Sequence, residues 1–164
     1  MIFNNLGKNF IINSFLVLLI FLIDRFSKIY VIYLDKKFLG SEIFSSKFLN
    51  IYLIWNKGIA FGLLSFQKEN LYDFLTAIIL IVILGILFIL TQDKGLKKYC
   101  YIMILGGALG NFFDRLFYKA VPDFIDFHVG NFHWFIFNLA DIFISIGIFF
   151  LIFLEFTDIS KDKP

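Results

Sequence analysis

A single cysteine and two histidines among 164 residues leave little material for thiol or soft-metal chemistry. Cys100 has no partner for an internal disulfide, and no metal-ligand cluster is visible, so neither a metal nor a cofactor is expected. Proline is nearly absent, with two residues, which together with the abundance of phenylalanine excludes a collagen-like or disordered chain; charge is scarce at 17%, which argues against a water-soluble globule. Neither sign of charge dominates: 15 basic and 13 acidic residues leave a net charge of +2, too balanced for a nucleic-acid footprint. What the chain has in excess is apolar side chain, with 60% hydrophobic residues, 25 of them phenylalanine, and a mean hydropathy of +0.84. These are the proportions of a membrane protein with one compact domain over residues 1–164.

A transmembrane helix needs about 20 mostly apolar residues to cross a hydrocarbon layer about 30 Å thick. Four segments approach this: about 10–33, 74–92, 99–118 and 135–154. Only the second is free of charge throughout. The first is uncharged as far as Ile23 and then carries Asp24, Arg25 and Lys28; the third ends in Asp114 and Arg115; the fourth holds Asp141 near its start. Lys8 before an apolar run invites a signal-peptide reading, but no small-residue cleavage site follows, so the first helix is expected to remain. The expected fold is an all-α membrane protein of four transmembrane helices. Phe48 to Trp55, rich in aromatic, β-branched and other apolar residues and followed by Asn56-Lys57-Gly58, adds a small β-rich element at the outer surface. Lysines in the connection 93–98 and near both ends favour the cytoplasmic side for the termini, although Lys36, Lys37, Lys47, Lys57 and Lys68 nearly balance them.

An ionisable residue inside a span costs about 2.5–3.5 kcal/mol even on the lenient insertion scale, so each one is a functional hypothesis. Asp24, Asp114 and Asp141 all fall near the same, outer end of their spans. Asn111, Asp114 and Arg115 share a helical face by their spacing, Asn138, Asp141 and Ser145 are read in the same way, and Asp24 and Lys28 stand one turn apart. Gly106 and Gly110 form a Gly-x-x-x-Gly pair that permits close helix approach. Pro122 disfavours helix at Val121 and leaves Asp123 on an extended segment able to fold back toward Asp141.

Two carboxylates brought together share a proton, so that one is an acid while the other is a base, and such a pair activates water without a metal. Arg115 beside Asp114 is expected to hold that carboxylate ionised, which leaves Asp123 with Asp141 as the better pair. Ser27 next to Lys28 suggests a serine–lysine dyad, but neighbours on a helix point about 100° apart. His128 and His133 read as interfacial residues without a third ligand, and Trp55 and Trp134 as part of an aromatic belt. A small transporter or proton-conducting subunit is the rival class, since it too uses intramembrane acids.

Five ordered blocks are recognisable: Asp24 with Lys28; Asn56-Lys57-Gly58-Ile59-Ala60-Phe61-Gly62; Gly106 to Arg115; Val121-Pro122-Asp123-Phe124-Ile125-Asp126; and Phe137-Asn138-Leu139-Ala140-Asp141. Together they closely resemble the signature blocks of lipoprotein signal peptidase, also called signal peptidase II, over essentially the whole chain. The resemblance implies an aspartic endopeptidase of the bacterial inner membrane with both termini cytoplasmic and its active site near the outer face. Its substrate would be a diacylglyceryl-modified prolipoprotein, cut just before the modified cysteine, and membrane lipid would be its surroundings. A monomer without nucleic-acid partners is expected. Asp123 and Asp141 match the family's catalytic aspartates. Asp24, Lys28, Asn56, Asn111, Arg115 and Asn138 match its supporting polar residues, while Gly58, Asp114 and Ala140 belong to the same blocks. Pro122 stands where many members have an aliphatic residue.

Overall fold

The computed structural model describes residues 2–58, 69–92 and 95–161. Residues 59–62 of the second block, and Asp93 and Lys94 of the connection between the middle helices, lie outside the described residues. In chain order the elements are α1 (Ile2–Lys37), β1 (Phe44–Ser45), β2 (Leu49–Asn56), α2 (Glu69–Gln92), α3 (Lys97–Tyr118), β3 (Val121–Val129), β4 (Phe132–Phe137) and α4 (Leu139–Lys161).

Glycine decides how the helices meet. Any Cβ on Gly106 would strike the Ile20 side chain of α1 at 2.7 Å, and one on Gly110 would strike the Asp24 carboxylate. The neighbouring Gly107 turns to α4, where a Cβ would meet the Ala140 carbonyl oxygen at 2.5 Å. Gly147 of α4 answers it against Ile104 and the Cys100 carbonyl. With α2 also packed on it, α3 is the central helix, and its small residues bring α1 and α4 to backbone contact, as in membrane helix pairs.

The strands form one antiparallel sheet in the order β1-β2-β3-β4 at the end of the bundle where α1 and α3 finish and α4 begins. Phe44 pairs with Ile51, Asn50 with Asp126, Ile54 with Asp123 and His128 with His133. The register slips between Ile51 and Ile54 and again between Asp126 and His128, in both cases with the extra residue on the strand beside β3. β3 itself runs regularly from Asp123 to His128, so side chains at 123 and 126 leave on opposite faces.

The fourth apolar segment is not one helix over 135–154. Phe135 to Phe137 belong to β4, and α4 starts at Leu139. Asn138 caps that start: its Oδ1 accepts from the Asp141 amide at 3.2 Å, while Asp141 Oδ2 accepts from the Asn138 amide at 3.2 Å. Asn138 and Asp141 are therefore a reciprocal cap and not two residues on one helical face.

Two helical stretches, Tyr72–Gln92 and Leu139–Thr157, are long and apolar enough to cross a membrane. The distribution of side chains is inside-out across the bundle. Phe15, Phe26, Phe88 and Phe149 are all more than 60% exposed, whereas Asp24, Lys28 and Asp114 are fully buried. Such a surface suits lipid, and the buried charges are tolerable only because they face one another.

Candidate active site

At the sheet end of the bundle the buried charges form one network centred on Lys28. Its Nζ donates to Asp24 Oδ2 at 2.9 Å, to Asp114 Oδ2 at 2.7 Å and to Asn111 Oδ1 at 2.8 Å. All three ammonium protons are used, which is what a buried lysine requires. Asp114 takes a second cation from Arg25 Nη1 at 2.6 Å, and that guanidinium lies 4.9 Å over the Phe113 ring. Asp24 reaches α4 with its other oxygen, accepting the Ala140 amide at 3.0 Å and satisfying one of the free N–H groups of the helix start. Gly110 is the residue that leaves room for the Asp24 carboxylate.

Asn111 passes from this network to the aspartates. Its Oδ1 is held by Lys28, which fixes the amide orientation, and its Nδ2 donates to Asp141 Oδ1 at 2.8 Å. Asp123 is held from both sides, by Asn138 Nδ2 at 2.6 Å and by Asn56 Nδ2 at 2.8 Å. Asn138 therefore touches both carboxylates, Asp123 through its side-chain amide and Asp141 through the cap. The two acids arrive from different elements, β3 and the first turn of α4, and both are buried. Burial pushes the Asp123 carboxyl up to about 7, and the negative charge of Asp141 pushes the same way against the Asn56 and Asn138 hydrogen bonds and the Lys28 charge.

Asp24, Lys28, Asn56, Asn111, Asp114, Asp123, Asn138, Ala140 and Asp141 thus fall in one connected polar assembly. Gly58 joins it through Asn56, whose Oδ1 accepts the Gly58 amide at 2.7 Å, so Asn56 forms a turn and holds Asp123 with the same side chain. Arg115 departs from expectation. It does not pair with Asp114, because consecutive helical residues diverge by about 100°. Instead its Nη2 donates to the Gly58 carbonyl at 2.8 Å and its guanidinium lies 5.6 Å from the Tyr72 ring centre, tying the end of the β2 turn to α3 and α2. Arg25, not singled out by the sequence, takes the place beside Asp114; its position next to Asp24 was the available signal. The Ser27 hydroxyl donates to the Asp24 carbonyl at 2.7 Å, not to Lys28.

Asp141 also borders a cleft of about 230 Å³ between β4 and α4, lined by Trp134, Phe137, Ile142, Ser145 and Ile146. Two buried carboxylates, held among the described residues by amides and backbone, with one of them, Asp141, at an apolar cleft, have the donor set of an aspartic hydrolase, here in a helical membrane protein.

The comparisons with known proteins give the family. Residues 16–157 match the family model described as signal peptidase (SPase) II. The chain is 47% identical over 148 residues to the lipoprotein signal peptidase of Pelagibacter ubique (strain HTCC1062), covering 90% of this chain and 89% of that one. It is 37% identical over 150 residues to the lipoprotein signal peptidase of Anaplasma marginale (strain Florida), covering 90% and 86%. A solved structure described as a bacterial membrane enzyme superposes with a TM-score of 0.77 at 27% identity, covering 92% of this chain and 91% of that one. The chain belongs to the signal peptidase II family.

Proposed function

We propose that this protein is a membrane aspartic endopeptidase that removes the signal peptide from diacylglyceryl-modified prolipoproteins, cutting just before the modified cysteine, with Asp123 and Asp141 as its catalytic pair. The observation that carries the chemistry is the shared Asn138, which holds one carboxylate through its side chain and the other through the helix cap. In this reading all four helices span the bacterial inner membrane, both termini are cytoplasmic, and the sheet with the aspartates lies at the outer face. The inside-out surface and the confinement of buried charge to one end support that arrangement. Ion conduction would call for polar groups along the full depth, whereas this network occupies one level.

The substrate's acyl chains would remain in lipid while its signal helix enters beside α4, bringing the scissile bond to the cleft at Asp141. A water molecule attacks the carbonyl carbon as one carboxylate takes its proton and the other protonates the carbonyl oxygen. Collapse of the tetrahedral intermediate then breaks the carbon–nitrogen bond, with a proton delivered to the leaving amine and the roles of the two acids exchanged. Asn111, Asn138 and Asn56 hold the carboxylates in place; Asp24, Lys28 and Asp114 hold Asn111. One chain carries the whole assembly, as a monomeric enzyme requires.

The purified protein in detergent, incubated with a lipidated prolipoprotein and with its unmodified form, is expected to release a signal peptide from the first and little from the second. Equal cleavage of both would remove the lipid preference, and cleavage of neither by folded protein would remove the peptidase assignment.

A pH dependence follows from Asp123. Its proton is held below about 7 and lost above it, so cleavage falls on the alkaline side with a midpoint near 7. The Asn56 hydrogen bond favours the charged carboxylate, so Asn56→Ala raises the Asp123 pKa and moves that alkaline limb to higher pH, while lowering the maximum rate. Profiles of kcat/KM against pH for the two proteins check this directly.

A further inference from the structure

Across β3 from Asp123 lies a second cluster that the peptide chemistry does not use. The turn after β3 passes through Gly130 at a φ of +60°, a conformation open to glycine, and returns the chain so that His128 and His133 stand directly opposite each other. Their rings stack with centres 4.9 Å apart. Strand alternation puts Asp126 on the same face as His128. One nitrogen of each imidazole and one Asp126 oxygen all lie within 4.8 Å of one another.

Among the described residues the hydrogen bonding of this cluster is incomplete. Asp126 is fully buried, yet among the described residues its ion-pair partner is His133, whose Nδ1 lies 2.9 Å from Oδ2 and 3.1 Å from Oδ1. The Asn50 amide adds a long contact of 3.4 Å, and the Tyr52 hydroxyl also hydrogen-bonds the carboxylate. His128 is 91% buried by its 9% exposure, and its Nδ1 has no hydrogen-bond partner among the described residues. A hydrogen bond that served only to orient His133 would leave that nitrogen unmatched.

We propose that Asp126, His128 and His133 form a binding site for one divalent zinc ion, clipping β3 to β4. Two imidazoles and a carboxylate are zinc ligands, and an ion of that borderline softness prefers this set to magnesium or calcium, which take oxygen. Tetrahedral coordination at about 2.0–2.1 Å separates ligand atoms by about 3.3 Å. The Asp126–His133 spacing is already close to this, and the remaining ligand-atom separations, all within 4.8 Å, would close by up to about 1.5 Å on binding. The His133 side chain is 51% exposed, which gives the ion an entry path and a water as fourth ligand. Bound zinc would join the two strands of the hairpin whose first strand carries Asp123.

The test is a zinc titration of the full chain, purified without a polyhistidine tag, stripped with chelator and held in detergent. The expected result is saturable binding of one zinc ion per chain, weakened at least about tenfold in His133→Ala and in Asp126→Asn. Zinc should also raise the thermal unfolding temperature of the unmodified protein and not that of His133→Ala. Because His133 also pairs with the buried Asp126, His133→Gln, which keeps a hydrogen-bond donor there but no imidazole, is measured beside His133→Ala and is expected to lose zinc binding and the thermal shift in the same way. Absence of saturable binding, or binding and thermal shift unchanged in His133→Ala, would overturn the proposal.

Discussion

Replacing Asp123 or Asp141 by asparagine is expected to reduce signal-peptide release by about 10³-fold or more, with the protein still folded in the membrane. General acid–base groups contribute about 10²–10⁴-fold, and two groups that pass one proton between them fail together when either is lost. The double variant should accordingly be no worse than the more damaged single one. Asparagine keeps the size of the side chain but offers one oxygen where Asp123 now accepts from both Asn56 and Asn138. A stability loss of about 1–3 kcal/mol is therefore expected beside the loss of activity. Thermal unfolding in detergent separates the two effects. Near-full activity in either variant would remove that residue from the chemistry.

The largest effect on stability is expected at Lys28. Its ammonium neutralises two carboxylates, Asp24 and Asp114, and all three groups are fully buried. Among the described residues, Lys28→Met leaves Asp24 without an ion-pair partner and Asp114 with Arg25 alone. Breaking a buried pair from one side costs about 3–5 kcal/mol, because the remaining charge is neither solvated nor matched. Adding Asp24→Asn to Lys28→Met should recover part of that loss, since asparagine retains an oxygen for the Ala140 amide and carries no charge. The unfolding temperatures of the two variants provide the comparison. An unchanged melting temperature in Lys28→Met would mean that water reaches the network.

Much of this arrangement was legible in the sequence because burial of charge in an apolar chain is costly and therefore informative. Asp24 with Lys28 one turn on, Asn111 with Asp114, and the Gly106–Gly110 pair all occupy the positions their helical spacing implied. The resemblance to signal peptidase II agrees with the family comparisons over most of the chain. What was hidden depends on contacts distant in sequence. Phe132 to Phe137 are mainly apolar or aromatic and run into the apolar start of α4, so hydropathy alone does not separate strand from span. The break is Asn138, whose capping role appears only with the Asp141 amide in place. Arg115 reaches Gly58 across the β2 turn, and that choice over its neighbour Asp114 is a matter of helix geometry. Asp126 likewise joins His128 and His133 only through the register of the β3–β4 hairpin, which the residues of the connection do not announce by hydropathy.

The proton that the proposed acid pair requires on Asp123 is testable by infrared spectroscopy, as the difference in carboxylic C=O absorption between the unmodified protein and Asp123→Asn, followed across pH. The expected result is one protonated carboxyl that titrates with a midpoint near 7 and is missing from the variant. An Asp123 carboxyl that is already fully ionised at pH 5 would contradict the acid-pair mechanism.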